Sequence, residues 1–449
     1  MALHLPPDDD HVLVRSYPTS DAVAHLSDEQ DVQRAIAAFR LFYPTVSLEA
    51  VLYGLRDAGL VDNVHMAVFA PRPHHALLTA NSDTAYGLAA VDLRRSGPIV
   101  IEMPHGTFAG AILDHHQRCI IEPAAGTAYL LLPPDHGGPV PEGYVAVRSP
   151  TFINLLAVRA LAADGPAAGI AALSRLRMYA LANPGDVVDI IDMTDRPLEC
   201  SIVRWENDIE IWNRLHHVLA TEPLELEHRA LLGLLAAIGI DRDRPFVPNL
   251  RLLNILTIAA RFGLDQMRVE AFASQRADRI VWRRRGWEWP GLVTDDASFE
   301  TAGHLDLQAR DRWFFQAALP APLLFRRGAT LELFTARDST GAFLDGSLRY
   351  ELTLPLPVPA SAWSVSVYDA RTRALVRTRQ GRAVLGTWHA PFESDATEQL
   401  TIALGPLAPA DPRTWIQTPE NTGVFVYLRL YGAGAAALAD WKLPDFIAR

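Results

Sequence analysis

The residues of this chain that could do chemistry crowd into NSDTAYGLAAVDLRRSGPIVIEMPHGTFAGAILDHHQRCII, Asn81 to Ile121. Asn81, Asp83, Thr84, Tyr86, Glu102, Asp114, His115, His116 and Arg118 sit there among segments that otherwise read as buried strands, where an unpaired polar group is costly. Read as one alternating strand, Phe108 to Ile121 sets Asp114, His116 and Arg118 in a row on one face, with His115 and Gln117 on the other. That row suits proton transfer: Asp114 or His116 moves the proton and Arg118 holds an anionic group. Asp83 and Tyr86 form a second base and acid if burial shifts them, although a strict strand separates their faces and a bulge is needed. The catalytic candidates are therefore Asp114, His116, Asp83 and Tyr86. The substrate-binding candidates are Asn81, Thr84, Arg118, Glu102 and, from the aromatic loop Trp282 to Trp289, Trp287, whose flat ring and N–H suit a polar ligand.

Each assignment competes with a plainer one. Asn81-Ser82-Asp83-Thr84 also reads as an Asx-type turn that starts a strand. Asp114 and His116 also read as a structural hydrogen-bonded pair, and the tryptophans with Trp313, Phe314 and Phe315 as packing between domains. No cofactor is expected; a divalent metal is the lesser alternative. Adjacent histidines on a strand diverge, so Asp114 and His116 would need further ligands from His74, His75 or His105.

The elements that must position these residues follow from periodicity. Ser27-Asp28-Glu29-Gln30 resembles a capping box before an amphipathic helix to Phe42, which Pro44 ends; Ser47 opens a second helix, Leu48 to Ala58. VHMAVFA, TAYGLAAVDL, PIVIEMP, FAGAILDHHQRCII, TAYLLLPP and YVAVRS then read as strands of an antiparallel sandwich or barrel. FINLLAVRALA, AAGIAALSRLRMYALA, EIWNRLHHVLA, LEHRALLGLLAAIGI and LRLLNILTIAARFGLDQMRVEAFASQRA read as helices, with Gly239 near one end. Strands return in ATLELFTA, LRYELTLPL, AWSVSVYDA, ALVRTRQ, LTIALGP and GVFVYLRLYG. The expected fold is mainly β with α: two antiparallel β-sandwich, jelly-roll-like domains with a helical layer between them. The expected domains are a helical leader, 1–62; a first β domain, 63–150; the helical layer, 151–280; an aromatic-rich connector, 281–328; and a jelly-roll-like β domain, 329–449.

Composition narrows the function classes. A chain of 449 residues that is 49% hydrophobic has ample material for several cores. A net charge of -11 argues against nucleic acid, and the isolated Arg283-Arg284-Arg285 reads as a solvated or acid-paired patch. MALHLPPDDDHVLVRS lacks the basic and apolar regions of a secretory signal, no uncharged apolar run reaches spanning length, and the cytoplasm is the expected compartment. Cys119 and Cys200 exclude a disulfide scaffold. No phosphate loop, strand-linked G-x-G-x-x-G, G-x-S-x-G elbow or H-E-x-x-H helix occurs.

The segments NSDTAYG and GTAYLLLPPDHGGPVPEGYVAVRSPT resemble the family catalogued as domain of unknown function 1254. FLDGSLRYELTLP, AWSVSVYDA, TWIQTPENTGVFVYLRLYG and WKLPD, in that order, resemble its partner, domain of unknown function 1214. The resemblance covers most of the chain and implies tandem β domains, the first elaborated with helices and the second jelly-roll-like. His115, His116 and Arg118 depart from the aromatic and amide-rich run that follows the aspartate in relatives. The function expected from these readings is a small-molecule enzyme that hydrolyses, eliminates or isomerises a polar, carbohydrate-like or secondary-metabolite substrate at an acid/base pocket in the N-terminal β domain. The alternative is a non-catalytic ligand-binding or assembly protein built from two jelly rolls. A small-molecule substrate and a homo-oligomer are the expected partners, with neither nucleic acid nor membrane.

Overall fold

The computed structural model describes residues 13–161, 164–223, 229–274, 276–291, 299, 303–317, 330–389 and 398–449. The expected leader up to residue 12, much of the connector and the start of the last domain lie outside the described residues. The fold mixes α and β and is rich in antiparallel sheets. The chain divides into two compact units, residues 1–46 with 203–267, and residues 47–202 with 268–449.

The first unit is helical. It contains the first part of the helix Ser20–Asp57, the helices Glu210–Thr221 and Arg229–Ala237, and most of Leu250–Phe272. Its interior is built on aromatic rings with satisfied polar ends. Phe39 packs against Tyr43 and Trp212, the Trp212 N–H donates to the Leu256 carbonyl at 3.0 Å, and the Tyr43 hydroxyl donates to Glu206 at 2.6 Å. Two helices broken at Pro44 were expected; one continuous helix contains it. Burial of Phe39, Tyr43, Val46, Leu48 and Val51 on both sides of the proline offsets the roughly 3 kcal/mol that a proline costs inside a helix. By length and composition this helix could cross a membrane, but 78% of its most apolar stretch is buried within the protein, as in a core helix.

The second unit carries the β structure. A six-stranded sheet runs Asp189–Asp192, His65–Phe69, Ala85–Asp92, Ile153–Ala160, Phe108–Asp114, Cys119–Ile121, antiparallel except for its first pair. A four-stranded sheet, Val145–Arg148, Ala128–Leu132, Ile99–Glu102, Arg177–Ala180, shares an apolar core with it through Met66, Val91, Leu156, Val158, Ile101 and Leu131. Two further four-stranded sheets form the C-terminal part. One orders Thr330–Thr335, Val424–Tyr431, Ala362–Asp369, Val384–Gly386; the other orders Trp415–Gln417, Gln399–Gly405, Tyr350–Pro355, Ile447–Ala448. Val365, Val367, Val426 and Leu428 of one and Leu352, Leu354, Ile402 and Leu404 of the other fill a common core.

The stretch expected to be a helical layer is only partly helical. FINLLAVRALA forms the central strand Ile153–Ala160, buried along its whole length. Such a strand has no solvent-facing side, so its mostly apolar run cannot be told from a buried helix by periodicity. The expected helix after Pro166 stops at Leu173, and Arg177–Ala180 continues as a strand; Asp189–Asp192 and Leu198–Glu199 are strands as well. In the C-terminal part the strand is Val384–Gly386 rather than ALVRTRQ.

The expected single strand from Phe108 to Ile121 is a hairpin. Phe108–Asp114 and Cys119–Ile121 pair across a turn in which the Gln117 N–H donates to the Asp114 carbonyl and Gln117 has φ +65°. The row Asp114, His116, Arg118 therefore does not exist as a strand face.

Candidate functional site

Asp83 is the centre of the polar cluster that the fold assembles. NSDT folds as a turn: the Asn81 side-chain carbonyl accepts the Asp83 N–H at 2.9 Å, and the strand Ala85–Asp92 starts immediately after. This points the Asp83 side chain, buried and 2% exposed as a residue, at one face of the C-terminal sheet. Along Val424–Tyr431, Val426, Leu428 and Leu430 enter the apolar core, while Arg429 and Tyr431 alternate to the other side. Glu332 lies opposite Arg429 in register, as does Ser364 on the other neighbour.

Three hydroxyl or imidazole groups meet the Asp83 carboxylate. Oδ2 accepts from the Ser364 hydroxyl at 2.5 Å and from the Tyr431 hydroxyl at 2.6 Å; Oδ1 lies 2.6 Å from His389 Nε2. Burial alone would raise the Asp83 pKa, but the hydrogen bond and charge of His389, then Arg429 and Ser364, outweigh it and hold the carboxyl below its ordinary value. Tyr431 is pushed far up by burial and by the Asp83 charge, so it stays a donor. Arg429 ties the neighbouring groups together, bonding Glu332 and Ser366 at 3.0 Å and the Tyr368 hydroxyl at 2.9 Å. Burial lifts Tyr368 to about 12, and its hydroxyl donates to the Ala80 carbonyl.

His389 differs from the rest of the cluster in keeping an exposed edge: its side chain is 19% exposed. Its Nδ1 has no hydrogen bond to any described residue, since the only one the imidazole makes is to Asp83. A carboxylate on one ring nitrogen fixes the tautomer and steadies the cation that forms when the other nitrogen takes a proton.

Next to this cluster lies a cavity of about 60 Å³, which Asn81 and Tyr86 share with it. Its floor is the six-stranded sheet, with Tyr86, Leu88, Ala109, Ala157 and Arg159 on one face; Glu332, Tyr427 and Arg429 stand on the facing sheet. The room exists because Ala109 and Ala157 are small.

The expected residues separate accordingly. Asp83, Asn81 and Tyr86 converge; Thr84 is buried beside them, with its hydroxyl unpaired. Asp114 does not join them. Its Oδ1 accepts the His116 and Arg118 N–H groups at 2.9 Å, and its Oδ2 accepts Arg118 Nε at 2.7 Å, so the carboxylate closes its own turn, 1% exposed. His115 lies instead against Glu49, 3.1 Å away and equally buried. Glu102 pairs with Arg177 and accepts the Tyr179 hydroxyl on the four-stranded sheet. Trp287 is fully buried with its N–H on the Pro444 carbonyl, a core position with no surface for substrate. The metal candidates also part: His74 contacts the Thr194 carbonyl and His75 those of Met193 and Arg196, and no group of three or more His, Cys, Asp or Glu among the described residues could hold a metal. His389, Ser364, Arg429 and Tyr431 went unseen in the sequence. His389 lies 306 residues from its aspartate, and a lone His in a loop gives no local signal.

Family models match two parts of the chain: the protein of unknown function DUF1254 at residues 62–181 and the protein of unknown function DUF1214 at residues 329–435. Among solved structures, the VPA0106 protein from Vibrio parahaemolyticus is 17% identical, with 93% of this chain and 100% of that one covered and a TM-score of 0.55. An uncharacterised protein from Burkholderia cenocepacia is 12% identical, with 96% of each chain covered and a TM-score of 0.38. The first likeness is one of fold alone. No curated protein matches the chain.

Proposed function

This chain belongs to the family that joins DUF1254 to DUF1214, and within that family we propose that it is a small-molecule enzyme whose proton-transfer group is His389, oriented by Asp83. The single observation that carries this reading is the pairing of a fully buried carboxylate with an imidazole that keeps an exposed edge and an unbonded second nitrogen. In this reading Nδ1 of His389 takes a proton from the substrate and later returns it, while the Asp83 charge stabilises the imidazolium between the two steps. The catalytic role expected of Asp114 and His116 passes to Asp83 and His389, and the Asp83–Tyr86 pair becomes a positioning group and a cavity wall.

Elimination or isomerisation of a polar metabolite fits better than serine-based hydrolysis. Ser364 is fully buried and gives its proton to the aspartate, not to the histidine, so it is not activated as a nucleophile.

The test is a metabolite pool incubated with the protein in deuterated water and read by mass spectrometry for deuterium uptake and for new products. Wild type is expected to label or convert one compound, and His389→Gln to lower that rate by about 10²–10⁴-fold, the usual contribution of a positioned acid or base, with the fold intact by circular dichroism. A His389→Gln protein as active as wild type on the compound would overturn the reading.

A further inference from the structure

The cavity contains a cation that pairs with none of the described residues. Arg159, on the central strand, is 7% exposed and lines the cavity, and its guanidinium makes neither a hydrogen bond nor an ion pair with any described residue. The guanidinium stands over the ring of Tyr86, with 5.7 Å from Cζ to the ring centre. Arginine presents several N–H donors, and no described residue accepts from any of those of Arg159. The contrast with Arg429 on the opposite wall is plain: it reaches Glu332, Ser366 and Tyr368 together.

Charge on the cavity wall therefore does not cancel. Arg429 pairs with Glu332 at 3.0 Å and also faces the Asp83 carboxylate behind the wall, so Arg159 is the one cation of the lining that no described acid contacts. A second donor stands beside it. The Tyr86 hydroxyl accepts the Asn81 N–H at 3.1 Å, but its own proton has no acceptor among the described residues. The rest of the lining is mostly apolar, including Leu77, Leu88, Ala109 and Ala157.

We propose that this cavity binds a short-chain monocarboxylate, its carboxylate on Arg159 and the Tyr86 hydroxyl and its hydrocarbon end against Leu88, Ala109 and Ala157. A guanidinium and a carboxylate match in plane and spacing, and one negative charge balances the one left over. Inorganic phosphate fits less well, because it has no apolar part for the alanines and leucines and carries more charge than one guanidinium offsets. Size sets the chain length: a void near 150 Å³ takes benzene, and this one, at about 60 Å³, takes at most an acid of roughly two or three carbons. The proposal concerns binding alone and stands whether or not His389 transfers protons.

The test is calorimetric titration of the full chain with sodium propionate, run beside sodium chloride and inorganic phosphate at matched ionic strength. Propionate is expected to bind saturably with one site per chain, and to raise the melting temperature as a ligand of the folded state does. Arg159→Gln is expected to weaken binding about tenfold or more, the scale of a lost charged hydrogen bond. Should Arg159→Gln fail to melt cooperatively, Tyr86→Phe removes only the hydroxyl and is expected to weaken binding several-fold. Absence of saturable propionate binding, tighter binding of phosphate than of propionate, or unchanged affinity in a folded Arg159→Gln or in Tyr86→Phe would each overturn the proposal.

Discussion

His75 behaves as a buried structural residue, and its titration reads out the fold. Its Nδ1 accepts the Arg72 N–H at 2.9 Å and its Nε2 faces the carbonyls of Met193 and Arg196, so the neutral ring is the one that fits. Burial drops the imidazole to about 4, against the opposing pull of those carbonyls, while an unfolded chain binds the proton near the ordinary 6.5. Between these values the unfolded state holds more protons, so the contribution is complete above the ordinary value and is lost as pH falls toward 4. The melting temperature should fall through that window, by the equivalent of up to about 3 kcal/mol, and His75→Asn should flatten the profile. An equally steep fall in His75→Asn would show that other groups set it. The histidine was visible in the sequence, but whether it met a metal, an acid or a carbonyl depended on the segment around Met193, far along the chain.

Elements decided how the same residues face. His116 and Arg118 share a strand side only if the strand continues, and the Asp114 carboxylate, by capping the turn, ends it. The strand itself was legible from its apolar alternation, whereas its end depended on a side chain that also looked catalytic. Ile153–Ala160 was misread for the opposite reason, because it is buried along its whole length, mostly apolar, and pairs on both sides. Its neighbour makes the packing testable. Gly110 sits against it so closely that an added Cβ would lie 2.3 Å from the Ala157 carbonyl oxygen and 2.6 Å from Val158 Cα. Backbone is what it meets, so Gly110→Ala should cost about 2–3 kcal/mol in urea unfolding; a loss below 0.5 kcal/mol would mean that the pair of strands parts easily.

At the scale of the whole molecule, the unit formed by residues 47–202 and 268–449 is joined across its two β parts by the NSDT turn. Asp83 reaches Ser364, His389 and Tyr431, the Ala80 carbonyl accepts from Tyr368, and the Thr79 N–H donates to the Arg373 carbonyl at 2.7 Å. Removing one partner of a buried charged cluster costs about 3–5 kcal/mol. Asp83→Asn should therefore speed hydrogen exchange in Ala85–Asp92 and in Ala362–Asp369 together, as parts of one cooperative unit. Acceleration confined to one of these strands would show that the two parts open separately.

By itself the sequence determined the strands with a polar side, most helical segments of the first unit, the tandem family pair and the buried polar turn of Asn81 and Asp83 beside Tyr86. These follow from local chemistry: side-chain period, turn residues, and the cost of burying polar groups in apolar strands. The tertiary structure alone decided that Asp83 meets His389 while Asp114 closes a turn, and that Arg159 faces a hollow. Each depends on which distant backbone arrives opposite a side chain, and strand pairing over hundreds of residues leaves no periodic mark on either partner.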